Sequence, residues 1–136
     1  MKFVHLVMLA LFYTLATTAA QAEIVCADIN AIHEEARCLA GEVDKANKKL
    51  SSYLQAAKSR LQRESDNKLD LSATQKAWES YRSAHCGDVY IYWADGSIRY
   101  RQSAQCQLDL TLNRTRDVWQ AYLTFADNTP PLLPAP

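Results

Sequence analysis

The chain has 136 residues, and its 15 Lys and Arg residues balance 15 Asp and Glu residues. A net charge of zero lacks the basic footprint of a nucleic-acid-binding protein and does not suggest a disordered polyelectrolyte. Only three glycines occur, and all four prolines fall in the last seven residues. This composition favours one compact helical domain over a β-sandwich or a Rossmann or P-loop enzyme.

The first 22 residues have the pattern of a secretory signal peptide. Lys2 supplies a positive charge, residues 3–15 are mainly apolar, and Ala20-Gln21-Ala22 is an A-x-A-like cleavage site. The apolar stretch is shorter than the ~20 residues that a membrane span needs. We therefore predict cleavage after Ala22 and a bacterial product that is periplasmic or secreted and not held in the membrane.

Four cysteines follow this segment: Cys26, Cys38, Cys86 and Cys106. An even number of cysteines in a small exported domain is typical of disulfides. A four-cysteine zinc site is the alternative, but its ligands normally occur in close C-x₂₋₄-C pairs. Since the spacings here are 12, 48 and 20 residues, we predict two disulfides and no bound metal or cofactor.

One long apolar stripe predicts the first helix, from about residue 30 to residue 64. Its members alternate at intervals of about four and three residues. They are Ile32, Ala36, Leu39, Val43, Ala46, Leu50, Tyr53, Ala57 and Leu61. Gly41 could end a shorter helix, but the stripe crosses it in phase, so we prefer a single helix with Asn30 as its N-cap and residues 65–68 as the following turn.

Two further helices complete the expected all-α, three-helix bundle. The second begins with a capping box of Ser72 and Gln75 and ends at Cys86, with Gly87 as its C-terminal cap. The third covers about residues 103–126. Between them, residues 87–102 are expected to form an aromatic loop packed on the helices, with a short hairpin at Asp95-Gly96 as the alternative.

The resulting domain covers residues 23–128 and is followed by a Pro-rich tail, residues 129–136, that we expect to be extended and mobile. Helix lengths then select the disulfide pairing. A second helix of ~15 residues spans ~22 Å, which places Cys86 more than 10 Å from Cys38, beyond the ~7 Å that a disulfide allows. We therefore predict the pairs Cys86–Cys106 and Cys26–Cys38.

A set of motif residues resembles an exported domain family that was once called DUF1311 and is now named after the LprI-type lysozyme inhibitor. The set consists of Gln75, Trp78, Tyr81, Arg82 and Cys86, then Gly96-Ser97, and then Cys106, Thr111 and Arg114. The resemblance covers about residues 26–118. It implies a helical, disulfide-bonded periplasmic or secreted domain, and lysozyme inhibition in some members. Two departures are Leu50-Ser51-Ser52-Tyr53, where the family often has Leu-Asn-x-x-Tyr, and the absence of the namesake's lipid-attachment cysteine.

We interpret the motif residues as mainly structural. Trp78 and Tyr81 lie on the apolar stripe of the second helix and are expected in the core. Arg82 lies one step off that stripe and is expected to pair with an acid on the first helix or to cap carbonyls near the second disulfide, with contact to a ligand as the alternative. Thr111 is expected to bond to the backbone, and Arg114 to be partly buried.

The segment between the second and third helices is the candidate binding loop, because aromatic side chains with a few charges on a rigid support favour protein interfaces. The candidate residues are Asp88, Tyr90, Tyr92, Trp93, Asp95, Ser97, Arg99 and Tyr100. The alternative is that these rings only cover the open end of the bundle.

The sequence contains no Gly-rich phosphate loop, no H-E-x-x-H and no G-x-S-x-G, so we expect a binding protein and not an enzyme. One candidate function is inhibition of a lysozyme-type cell-wall hydrolase, or an immunity-like role against one. The other is a structural or stress-related envelope domain that binds another protein or a small ligand.

Overall fold

Three helices form the part of the protein that the structure describes, in the order α1 (Ile32–Glu64), α2 (Leu71–Tyr92) and α3 (Ile98–Tyr122). The computed structural model describes Cys26 and residues 31–64 and 69–136, and no β-strand occurs among them. The expected all-α bundle is therefore confirmed. The signal segment, the Asn30 cap and the turn at residues 65–68 lie outside the described residues.

Helix α1 is unbroken over 33 residues, as the continuous apolar stripe predicts. Its buried positions are Leu39, Val43, Ala46, Leu50, Tyr53, Leu54 and Ala57. Gly41 faces away from this stripe and is exposed. It therefore costs some helix propensity, about 1 kcal/mol relative to alanine, but interrupts no packing.

Helix α2 begins two residues earlier than the capping box predicts, because Ser72 is not its N-cap. Asp70 is the N-cap, and its carboxylate accepts a hydrogen bond of 2.9 Å from the Ser72 amide. The Ser72 hydroxyl and amide hold the pKa of Asp70 below its ordinary value. Gln75 does not complete a capping box; its amide instead donates to Glu79 at 3.1 Å.

The predicted end of α2 at Cys86 is wrong, because the helix continues to Tyr92. Gly87 keeps the helical conformation, and a Cβ atom there would meet nothing within 4 Å. Val89 and Tyr90 are half-buried beyond it, so packing extends the helix past a residue whose local preference is to end it. Helix α3 correspondingly begins at Ile98, not at residue 103.

Helix α3 is the central element, since α1 and α2 both pack against it and contact each other little. Its buried positions are Leu108, Thr111, Thr115 and Val118. The two buried hydroxyls are satisfied within the helix: Thr111 donates to the Gln107 carbonyl at 2.6 Å and Thr115 donates to the Thr111 carbonyl at 2.9 Å. Small polar residues thus allow close packing without unpaired groups.

Two apolar clusters lie along this interface. The larger one is formed by residues from α1, α2 and α3, namely Leu50, Tyr53, Leu54, Ala57, Leu71, Val118 and Leu123. The smaller one joins the start of α1 to the middle of α3 and contains Cys26, Leu39, Val43, Ala46 and Leu108. The C-terminal end of α2 and the first turns of α3 therefore lie outside these two clusters.

Both predicted disulfides are confirmed. Cys26 and Cys38 are joined with their Cα atoms 5.8 Å apart, and Cys86 and Cys106 with theirs 5.7 Å apart. Cys86 is only 1% exposed. The second bond ties α2 to α3 and makes these two helices a stapled helical hairpin.

The C-terminal tail is packed, and the expectation that it is mobile is wrong. The Leu132 amide donates to the Leu123 carbonyl at 2.9 Å. The Tyr53 hydroxyl donates to the Pro134 carbonyl at 2.8 Å, and the Trp119 indole N–H donates to the Leu133 carbonyl at 2.9 Å. Prolines exclude a helix here, but they leave carbonyls that these core side chains bind.

Candidate functional site

The tip of the stapled hairpin consists of the last turn of α2 and the connection at residues 93–97. The chain reverses through backbone hydrogen bonds from Ala94 to the Ile91 carbonyl and from Gly96 to the Trp93 carbonyl, at 3.1 and 3.3 Å. The connection is therefore much shorter than the loop that the sequence predicts, and most of the aromatic segment is helical.

Three adjacent apolar side chains are exposed at this tip. Ile91 is 69%, Tyr92 81% and Trp93 40% exposed. The rings of Tyr92 and Trp93 meet edge to face, with centroids 5.4 Å apart. Isolated exposed apolar residues need no explanation, but a contiguous group of large ones is typical of an interaction surface.

Behind this tip, Arg99 supports the turn. Its guanidinium carbon lies 5.1 Å from the ring centre of Tyr90 and 5.2 Å from that of Tyr100. It also donates to the Ala94 carbonyl at 3.3 Å, and its Nε is buried without a hydrogen-bond partner among the described residues. Arg99 is thus folded back against the hairpin and does not extend into solvent.

The two tyrosines beside Arg99 differ in acidity. Hydrogen bonding to Tyr90, and then to the Arg99 guanidinium, lowers the pKa of the Tyr100 hydroxyl. The same bond to Tyr100 raises the pKa of the Tyr90 hydroxyl. Their rings meet nearly edge to face at 5.4 Å, so this pair and Arg99 form one support for the tip.

The polar members of the predicted binding loop surround the tip. Asp88, Asp95 and Ser97 are all exposed. Ser97 occupies the N-cap position of α3, but its hydroxyl makes no capping bond. These three side chains are therefore free to meet a partner, whereas Tyr90 and Arg99 are half-buried and act as support.

Polar contacts behind the tip hold it to the bundle. The Ser103 hydroxyl donates to the Cys86 carbonyl at 3.1 Å, beside the disulfide. Arg101 forms an ion pair of 2.6 Å with Glu35 of α1, whose side chain is only 15% exposed. A covalent and an ionic link thus fix the hairpin end, which lowers the ordering cost of binding.

The motif residue Arg82 joins all three helices. It donates to the Asn47 side-chain oxygen of α1 and to the Thr111 hydroxyl of α3, both at 2.7 Å. It also lies over the Trp78 ring at 4.7 Å. Arg82 is therefore bound to neutral groups, and among the described residues it pairs with neither the acid on α1 nor the helix-end carbonyl that the sequence predicts.

The other motif residues of α2 divide between the interior and the surface. Trp78 is half-buried and packs against the larger cluster. The prediction that Tyr81 lies in the core is wrong: it is 54% exposed and stacks on His85 with centroids 5.5 Å apart. Arg114 is half-buried and donates to Gln75 at 3.2 Å, which links α3 to α2.

A cavity of about 540 Å³ lies beside the hairpin, between the first turns of α1 and the start of α3. Its lining is mostly apolar and includes Ala36, Ala40 and Ala104, with Tyr90 and Tyr100 at one side. A smaller cavity of about 300 Å³ adjoins it and has a more polar lining.

A family model described as lysozyme inhibitor LprI matches residues 26–118. The chain belongs to the lysozyme inhibitor LprI family. The match includes all four cysteines and the hairpin tip and ends before the packed tail. No curated protein and no solved structure matches the chain significantly.

In this member of the LprI family, sequence patterns missed several residues that build the site. Ile91 is 69% exposed and adds to the apolar surface of the tip. Its position between Tyr90 and Tyr92 was the feature of the sequence that could have identified it. Asn47 and Glu35 are partners of Arg82 and Arg101, but long-range pairs of this kind leave no spacing pattern.

Neither a metal site nor a membrane span is found in the part of this LprI-family chain that the structure describes. Its His, Cys, Asp and Glu residues form no group of three suited to a metal ion. Across the same residues, the helices are too polar or too short to cross a bilayer. The geometry presents an exposed aromatic surface and two adjoining cavities.

Proposed function

We propose that this protein is an exported inhibitor of a lysozyme-type cell-wall hydrolase and that it acts by binding, not by catalysis. Membership of the lysozyme inhibitor LprI family carries the proposal. The two disulfides agree with an oxidising compartment, either the periplasm or the exterior. The signal pattern of residues 1–22 supports export in the same way.

The hairpin tip is the surface that binds the enzyme in this proposal. A glycosidase active site is a groove with two carboxylates at its centre and sugar subsites on either side. Tyr92 and Trp93 are exposed rings of the kind that fills such subsites, and the free Ser97 hydroxyl is a donor for a carboxylate. Arg99 positions this surface by bracing the turn.

Inhibition of peptidoglycan hydrolysis tests the proposal. Oxidised protein starting at Glu23 is titrated into several lysozyme-type muramidases, and the clearing of a cell-wall suspension is followed. Removing a central aromatic anchor typically costs 2 kcal/mol or more, so Trp93→Ala should raise the inhibition constant by about thirtyfold.

Tyr81→Ala is the matched control, because Tyr81 is also an exposed aromatic residue of α2 but lies outside the tip. It should leave the inhibition constant nearly unchanged. Equal losses in both variants would contradict the tip as the binding surface. If the wild-type protein inhibits no muramidase and instead retains another envelope protein in a pull-down, the alternative role as an envelope-binding domain is supported.

A further inference from the structure

Arg82 carries a charge that no carboxylate neutralises within the described residues. The four ion pairs there involve Arg37, Lys45, Arg60 and Arg101. Both hydrogen bonds of Arg82 use the same terminal nitrogen, Nη1, and both acceptors are neutral. The rest of its donor fork is not used by these contacts, although Arg82 is half-buried.

Arg82 lines the cavity of about 300 Å³, together with Ser83, Gly87, Tyr90, Ser103 and Gln107. Ser83 and Gln107 add a hydroxyl and an amide as further hydrogen-bond donors. A half-buried cation in a concave, donor-rich site binds an anion more strongly than an exposed one, because water screens it less.

We propose that this cavity binds the carboxylate of a small organic acid and that the apolar part of the ligand lies in the adjoining cavity. The planar guanidinium fork matches a carboxylate. Arg82 is the one arginine among the residues that line the smaller cavity, and one arginine suits a monoanion better than a phosphate dianion, which would be left with uncompensated charge.

The adjoining cavity of about 540 Å³ defines the rest of the ligand. The two cavities share Tyr90, Ser103 and Gln107 in their linings, and the larger one is mostly apolar. Together they reach the size of small-molecule sites, about 300–1,000 Å³. This site is separate from the hairpin tip, so the proposal stands independently of hydrolase inhibition.

Hexanoate and hexan-1-ol form the probe pair, since they share an apolar chain and differ in charge. Each is titrated into the ¹⁵N-labelled oxidised protein, and the Arg82 Nε–Hε and Trp78 indole signals are followed by NMR. We expect hexanoate to shift both signals saturably and hexan-1-ol to leave the Arg82 signal in place.

Ser83→Glu and Ser83→Gln are the matched variants, because Ser83 is exposed on α2 at the cavity and its replacement leaves the bonds of Arg82 intact. The new carboxylate of Ser83→Glu should compete for Arg82 and weaken hexanoate binding by about tenfold, or about 1.4 kcal/mol. Ser83→Gln has the same size without the charge and should bind as the wild type does. Equal binding by both variants, or equal Arg82 shifts with hexan-1-ol, would overturn the proposal.

Discussion

The hairpin tip and the C-terminal tail lie at opposite ends of α3, and their apolar residues differ in exposure. At the C-terminal end, the tail is held by Tyr53 and Trp119, and Leu133 packs on the core. At the hairpin tip, Tyr92 and Trp93 are exposed. Both segments are rich in apolar side chains, so composition alone does not separate a segment that covers the core from one that stays exposed. The difference is whether neighbouring helices offer a buried face with donors for the segment's carbonyls.

The same contrast holds for the arginine at each end. Arg60 donates to the carbonyls of Tyr122 and Thr124 at 2.9 and 2.8 Å, and its guanidinium lies 4.1 Å from the ring centre of Phe125. It therefore satisfies carbonyls at the end of α3. Arg99 stacks on two rings as well, but its bond to the Ala94 carbonyl is longer, at 3.3 Å, and its Nε has no hydrogen-bond partner in the described structure.

Deleting residues 131–136 should have the largest effect on stability. The deletion removes the packing of Leu133 and the acceptors of two core side chains, which together should lower the free energy of unfolding by about 3 kcal/mol. Urea denaturation followed by circular dichroism measures this. Leu133→Ala should reproduce part of the loss, whereas Leu132→Ala, at a residue that is 43% exposed, should change it little. An unaltered midpoint after the deletion would mean that the tail does not support the core.

Arg60→Ala should have the next largest effect and lower the free energy of unfolding by about 2 kcal/mol. Two carbonyls lose a charged donor, and Phe125 loses its stacked partner. Arg99→Ala should lower the free energy of unfolding by about 1 kcal/mol or less, since its bond to the Ala94 carbonyl is long and its side chain is only half-buried. Parallel urea titrations of the two variants compare the ends directly. A larger loss of unfolding free energy for Arg99→Ala than for Arg60→Ala would contradict the inference that Arg60 contributes more to stability.

Trp93→Ala should change the free energy of unfolding by less than about 1 kcal/mol, because its side chain is partly exposed and its ring meets the exposed ring of Tyr92. Trp78→Ala is the comparison and should cost clearly more, since that ring packs on the core and under Arg82. Thermal melts of both variants provide the measurement. If Trp93→Ala melts as low as Trp78→Ala, the tip rings are a cover for the bundle end.

Local periodicity was sufficient for much of this fold. The stripe of α1 marks its buried face across Gly41 because packing, not single-residue propensity, determines a long helix. Helix lengths also selected the disulfide pairs. The predictions that failed concern residues whose state depends on distant partners: Gly87 stays helical, Tyr81 is exposed, and the tail is held by Tyr53 and Trp119.

The same reasoning explains what could be anticipated of the candidate site. An aromatic run between two cysteines pointed to the hairpin tip, but whether each ring is support or surface follows from the Arg99 contacts. The cavity at Arg82 brings together residues from α2 and α3 that are far apart in the chain. No spacing rule within one helix indicates such a site.

The smallest predicted effect is a separation of two tyrosine titrations at the tip. The pKa of Tyr100 is lowered chiefly by the bond to Tyr90 and then by Arg99, whereas that bond raises the pKa of Tyr90. The stabilising contribution of Tyr100 is therefore present above its unfolded pKa and lost as the pH falls through its folded pKa. That of Tyr90 is present below its unfolded pKa and lost as the pH rises through its folded pKa.

Because these contributions oppose each other near pH ~10, net stability should change little there, and the ring ¹³Cζ shifts are the better measurement. Tyr100 should ionise first. Tyr90→Phe should raise the pKa of Tyr100 towards the ordinary value, because it removes the hydrogen bond that contributes most to lowering that pKa. Tyr92→Phe is the control and should leave the titration of Tyr100 unchanged, since Tyr92 pairs with Trp93. If Tyr90 and Tyr100 titrate together in the folded protein, the pair does not form the rigid support on which the exposed tip rests.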